Sequence, residues 1–141
     1  MPSSPGAYVL VVLLPSPTSV RVGRLGHLHF GSGHYLYCGS AQAGLLPRLA
    51  RHMRPDKIKH WHIDSLTAEG QVLGALAFEG GKETECRLAE IVSGIPGVLP
   101  AAPGFGSSDC HCRTHLFQVG SEVPLSLVLD VLRSCHSLMG N

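Results

Sequence analysis

HYLYCGSAQAGLLPRLARH, residues 34–52, opens as an aromatic strand and closes as a helix. Tyr35, Leu36, Tyr37 and Cys38 form an apolar run of the kind that fits a pleated surface. Gly39 and Ser40 interrupt it. From Leu45 onward the spacing changes: Leu45, Leu49 and Met53 fall on one helical face, and Arg48, Arg51 and His52 fall on another. Pro47 is compatible only with the first turn of that helix, and Pro55 ends it. A plain structural element has no need to pass from Tyr-Cys-Gly directly into two arginines and a histidine, whereas a phosphate-handling site does.

Upstream, AYVLVVLL (7–14) is apolar throughout and β-branched, which predicts a central strand buried on both faces. PSPTS (15–19) is a turn. VRVGRLGHLHF (20–30) alternates Val20, Val22, Leu28 and Phe30 against Arg21, His27 and His29, so it reads as a second strand broken at Gly23 or Gly26. The short GSG link (31–33) predicts that 34–38 pairs antiparallel with this predecessor.

Downstream, 57–66 reads as a short helix or an irregular turn, and QVLGALAF (71–78) as a strand. Residues 83–95 form a predicted helix with Cys86, Leu88, Ile91 and Val92 inward, ended by Gly94 and Pro96. A Pro/Gly-rich loop covers 96–109, a last strand 114–119, and an amphipathic helix 124–139 that packs through Leu125, Val128, Leu132, Cys135 and Met139. The order β-β-β-α-(α)-β-α-β-α predicts an α/β chain of α+β-sandwich type, with a small mixed, largely antiparallel sheet flanked by helices. Its 141 residues suit one domain over 1–141, with a core at about 6–119 and a packing helix at about 124–139.

Composition narrows the function classes. At 44% hydrophobic residues the chain is not disordered. The net charge of +1 says little, but its distribution says more. Arg48, Arg51, Arg54, Lys57 and Lys59 hold nearly half of the 11 Lys and Arg, with His52, His60 and His62 among them and Asp56 as an acid. Such local positive potential suits a polyanion. The apolar run Val9–Leu14 is too short for a signal-peptide core and lacks a basic lead, and no run reaches membrane-spanning length. Five cysteines, odd in number and unevenly spaced, fit a reduced compartment. The expectation is a cytoplasmic protein with no membrane partner.

Taken together, GAY (6–8), YCG (37–39), GRLG, YLYCGSA, RLARHMR, HWHID, ECRLAE and GFGSSDCHCRTHLF occur in an order that resembles the GIY-YIG nuclease superfamily. The match is closer to its small Uri-type branch, found as stand-alone proteins and attached to endonuclease III. The motifs span about residues 6–117. The two signature tripeptides are Gly-Ala-Tyr and Tyr-Cys-Gly here, keeping the tyrosines and glycines. The resemblance implies a GIY-YIG-like fold and metal-dependent hydrolysis of a nucleic-acid phosphodiester, DNA foremost, by an activated water. It implies that Tyr8 and Tyr37 surround the water and the phosphate. Arg48 then clamps a phosphate oxygen, His52 orients a tyrosine or protonates the leaving group, and Glu90 holds one divalent cation, Mg²⁺ or Mn²⁺, with Glu79, Glu83 and Glu85 nearby in sequence. Tyrosine ionises near pH 10, so a tyrosine base needs a neighbouring cation.

Gly39 and Ser40 would let backbone approach the phosphate, and Arg51, Arg54, Lys57, Lys59, His60, Trp61 and His62 would form the nucleic-acid surface, with Trp61 able to stack on a base. His60, His62 and Asp64 alternate, so on a strand they could also bind a metal. GFGSSD (104–109) could present backbone N–H groups and serine hydroxyls to a phosphate, or be a simple glycine turn. Cys110, Cys112 and His115, with Cys86, form a donor set that zinc accepts. The Cys-x-Cys spacing is shorter than the usual finger spacing, so reduced structural cysteines are expected in preference to zinc. Two other readings stay open: a nucleic-acid-binding module of the same fold without turnover, and a zinc-stabilised interaction domain.

Overall fold

The protein is described from a computed structural model, which covers residues 4–54, 61–107, 110 and 112–135. Its centre is β1 (Gly6–Leu14), in which every residue but one is buried, as an apolar run with no polar face requires. β1 pairs antiparallel with β4 (Gly33–Ala41) on one side and β5 (Gln71–Glu79) on the other. β7 (Leu116–Val119) pairs with β4, and β6 (Val98–Pro100) pairs with β7. The order is β5-β1-β4-β7-β6 and every pairing is antiparallel, so the sheet is not mixed.

The broken second strand is a separate hairpin. β2 (Thr18–Arg21) pairs with β3 (His27–Phe30) around a 3₁₀ turn at Gly23–Leu25. The break falls where the two glycines stand, and both adopt positive φ. The short 31–33 link does not make β3 and β4 partners. β3 pairs with β2 and β4 with β1, because β1 offers nine apolar positions for β4 to cover in full register.

Alternation along β1 separates two cores. Ala7, Val9 and Val11 face α3 (Thr84–Ser93) and α4 (Leu125–Ser134), meeting Leu88, Val92, Val128 and Leu132. Tyr8, Leu10, Val12 and Leu14 face the opposite side, where Leu45 of α1 (Leu45–Met53), Ile63 and Leu66 of α2 (His62–Thr67) and the hairpin's Val22 and Phe30 cover them. Tyr8 and Tyr37 therefore lie on the same face of adjacent strands, with ring centroids 6.4 Å apart. α1 starts at Leu45, with Pro47 in its first turn. The ambiguous 57–66 stretch is helical from His62. Lys57, Lys59 and His60 lie outside the described residues, as does Met139. Among the described residues no helix is long and apolar enough to cross a membrane.

Candidate active site and a neighbouring cysteine–histidine cluster

A cleft of about 340 Å³ opens where β1, β4, α1, α2 and α3 meet the loop that precedes β7. Tyr8, Tyr37, Ser40, Arg48, Trp61, His62, Glu85, Gly106, Cys110 and His115 line it. The Tyr8 hydroxyl lies 2.6 Å from His52 Nε2, and both residues are buried. Burial pushes the Tyr8 hydroxyl well above its ordinary value, and the neighbouring Arg48 guanidinium draws it back only in part. Tyr8 therefore keeps its proton at neutral pH, and its hydroxyl shares a short hydrogen bond with His52 Nε2. Burial likewise pushes Tyr37 up, with the nearby Tyr8 and Glu85 adding to the shift.

Arg48 reaches the cleft from α1, donating from Nη1 to the Ser40 carbonyl at 2.6 Å. Its guanidinium carbon stands 4.2 Å from the Trp61 ring centroid, and so does that of Arg51. The Trp61 ring thus already carries two cations. Arg51 has a further partner: Nη1 and Nη2 donate to both oxygens of Asp64 at 3.0 and 2.9 Å. Asp64, with a fully buried side chain, also accepts the Trp61 N–H at 2.9 Å, which closes the start of α2. In this arrangement Arg51 and Asp64 are structural, and the alternate-position metal set His60, His62 and Asp64 is ruled out as a strand because His62 and Asp64 lie on a helix. His62 accepts the Gly106 N–H through Nδ1 at 2.9 Å. Arg54 is exposed at the end of α1.

Gly39 has a different task from the one expected. It is buried, and it stands opposite Tyr8 in the β1–β4 ladder, where a methyl group would overlap the Tyr8 ring at Cζ and Oη. The YCG glycine makes room for the GAY tyrosine rather than for substrate. Replacing Gly39 with alanine should cost about 1–3 kcal/mol as overpacking and expel the Tyr8 hydroxyl from His52. Denaturant melts and the Tyr8 ring resonances would register both, and an unshifted ring would contradict this packing.

Gly104, Phe105 and Gly106 of the GFGSSD loop are also committed internally, while Ser108 and Asp109 lie outside the described residues. Gly104 and Gly106 take positive φ, and Phe105, fully buried, sets its ring edge-on to Phe30, Tyr37 and His62. Gly106 rests against Tyr37, since a Cβ there would come within 2.8 Å of Cε1. Its N–H is taken by His62, so that group does not serve a phosphate.

Glu90 does not reach the cleft. It is exposed and lines a second hollow with Cys86, Ser93 and Pro100. Glu85, in the first turn of α3, is the carboxylate that lines the cleft. Five residues turn a helix by about 140° beyond a full turn, so Glu85 and Glu90 cannot share a direction. The sequence carried a usable signal: Glu85 lies three residues before Leu88 and seven before Val92, both inward, which puts it at the edge of the packed face.

Cys86, Cys110, Cys112 and His115 converge, with their donor atoms all within 4.8 Å of one another. The four residues that the sequence offered as a donor set thus form a cluster that could hold a metal ion. All five cysteines are free, and Cys38 and Cys135 are buried apart from the cluster. His115 Nε2 lies 3.5 Å from Cys110 Sγ and 3.9 Å from Cys86 Sγ, while its Nδ1 faces Glu85 Oε2 at 3.5 Å. Burial pulls the His115 imidazole down, but Glu85 and Cys110 outweigh it and hold it above its ordinary value.

No curated protein and no solved structure matches this chain. A family model described as a domain of unknown function, DUF123, matches residues 7–137, spanning the sheet, the cleft and the cysteine cluster. The chain belongs to the DUF123 family.

Proposed function

We propose that this protein is a metal-dependent endonuclease of GIY-YIG type, hydrolysing a nucleic-acid phosphodiester in the Tyr8–Tyr37–Arg48 cleft. The observation that carries the reading is convergence: two tyrosines, an arginine and a carboxylate from β1, β4, α1 and α3 line one cleft. Phosphodiester hydrolysis needs such a gathering, because nucleophile, phosphate clamp and charge-stabilising groups must act on one centre.

Glu85 fits the expected cation better than Glu90 does. A single carboxylate in an open polar cleft suits Mg²⁺, which keeps several waters and takes phosphate oxygens as its remaining ligands. When bound there, the cation would neutralise charge on the phosphate and lower the pKa of water. The chain's own groups do the rest. Arg48 presents its planar fork to a phosphate oxygen. With its hydrogen directed at His52 Nε2, the Tyr8 oxygen has lone pairs free to accept a hydrogen bond from the attacking water. As that water loses its proton to Tyr8, the Tyr8 proton passes to His52 Nε2 across the 2.6 Å contact. His52 thus acts as the base through Tyr8. This accommodates a tyrosine that is too strongly held to be ionised in advance. Tyr37 offers a second hydroxyl on the same side of the cleft.

Nucleic acid, DNA foremost, is the substrate class this chemistry fits. Exposed Arg54, and Arg21 and Arg24 on the hairpin whose turn rests on His62, add positive charge around the cleft. Binding of a short labelled DNA should weaken steeply with salt as counterions are released. Arg24→Ala and Arg54→Ala together should lower the slope of log K against log salt by about 2. Binding insensitive to salt would remove nucleic acid as the ligand. The decisive assay offers labelled duplex, single-stranded, flap and branched DNA and RNA with Mg²⁺, Mn²⁺ or chelator. Cation-dependent cleavage of any of them supports the reading. Salt-sensitive binding with no cleavage would favour the binding module instead.

A further inference from the structure

We propose that Cys86, Cys110, Cys112 and His115 bind one zinc ion in a closed structural site, with Glu85 orienting the histidine ligand. Three thiolates and an imidazole are the donor set that zinc takes in structural sites, and four protein ligands leave no position open for substrate. In a tetrahedral site with Zn–S near 2.3 Å and Zn–N near 2.05 Å, sulfur and nitrogen stand roughly 3.6 Å apart and sulfurs roughly 3.8 Å. The observed 3.5 and 3.9 Å from His115 Nε2 to Cys110 and Cys86 already bracket that spacing. All four donor atoms lie within 4.8 Å of one another.

The second observation is on the other side of the ring. With Nε2 aimed at the three sulfurs, Nδ1 points to Glu85 Oε2 at 3.5 Å, and His115 is almost wholly buried. A histidine that ligates a metal commonly donates its other N–H to a carboxylate, which fixes the tautomer and raises the basicity of the ligand. Glu85 is placed for that role, and it is also the carboxylate that lines the cleft.

The site would fasten three elements. Cys86 belongs to α3, Cys110 and Cys112 to the loop that carries Gly106 against Tyr37, and His115 to the entry of β7, where its carbonyl accepts the Cys38 N–H at 2.9 Å. Zinc would pin the first turn of α3 to that loop. The directions of Glu85 and Tyr37 would then be set by one ion. Cys110 lines both the cleft and the hollow of about 700 Å³ behind it, so the ion would sit in the wall between them. The proposal is independent of the nuclease reading, since it concerns what holds the cleft together.

The test is elemental analysis of full-length protein purified without chelator. Wild type should carry about one zinc per chain. Exchange with Co²⁺ should give intense visible d–d bands of a tetrahedral site and thiolate charge transfer in the near ultraviolet. Cys112→Ser should lower zinc content at least tenfold, and Cys135→Ser, whose thiol lies outside the cluster, should leave it at one. Glu85→Gln should keep the fold and the ion but weaken zinc in a chelator competition by about tenfold to a hundredfold. Should Cys112→Ser not fold, wild type alone decides, through its zinc content, its cobalt spectrum and a fall in melting temperature on chelation. Metal-free wild type that takes up neither zinc nor cobalt, iron in place of zinc, or stoichiometric zinc that survives Cys112→Ser would each overturn the assignment.

Discussion

Glu85→Gln and Arg48→Ala should each lower the rate of phosphodiester cleavage a hundredfold or more while leaving most substrate binding intact. Both groups would act on charge that grows as the phosphate is attacked, and one such contact is typically worth about 10²–10³ in rate. Glu90→Gln is the internal control: its side chain faces the other hollow, so the rate should stay within about twofold of wild type. Single-turnover cleavage with saturating enzyme would separate the effects from binding. If Glu90→Gln is as damaging as Glu85→Gln, the placement of the cation-binding carboxylate is wrong. If Tyr8→Phe and His52→Ala each lower the rate to a similar measurable residue, and together cost no more than either alone, the proton path through Tyr8 to His52 is supported, because groups that act as one unit do not add.

The two tyrosines were legible from strand patterning and motif order, since an unbroken apolar strand must be central and the next long one must cover it. The roles of individual polar residues were not. Gly39 was read as an approach for phosphate, yet nothing in YCG says that the residue across the ladder is the tyrosine of GAY; that depends on a register that local sequence does not contain. Arg48 and Arg51 look equivalent on a helical wheel. They part only because Asp64, thirteen residues beyond Arg51, folds back to take both donors of one and not the other. The hairpin was misassigned for a related reason: linker length reports what can pair, and sheet burial decides what does. The cysteine cluster is not legible from spacing alone, because Cys86 arrives from α3, twenty-four residues before Cys110.

Arg51→Ala should be the most destabilising surface-adjacent substitution, at about 3 kcal/mol. Arg51 is 21% exposed, but its partner Asp64 is fully buried in its side chain. Removing the arginine takes two hydrogen bonds from a buried carboxylate, and breaking a buried ion pair by removing one partner costs several kcal/mol. The Trp61 ring loses one of its two cations at the same time. A loss of this size in a chain of 141 residues corresponds to a fall in melting temperature of roughly 10 °C. Asp64→Asn, which keeps a hydrogen-bonding side chain in the same space while removing its charge, should cost less at neutral pH. Chemical denaturation of the two variants at neutral pH measures both. An Asp64→Asn variant as stable as wild type, beside a full loss in Arg51→Ala, would mean that Arg51 stabilises through its packing on Trp61 rather than through Asp64, and would move the weight of this corner from the ion pair to the aromatic ring.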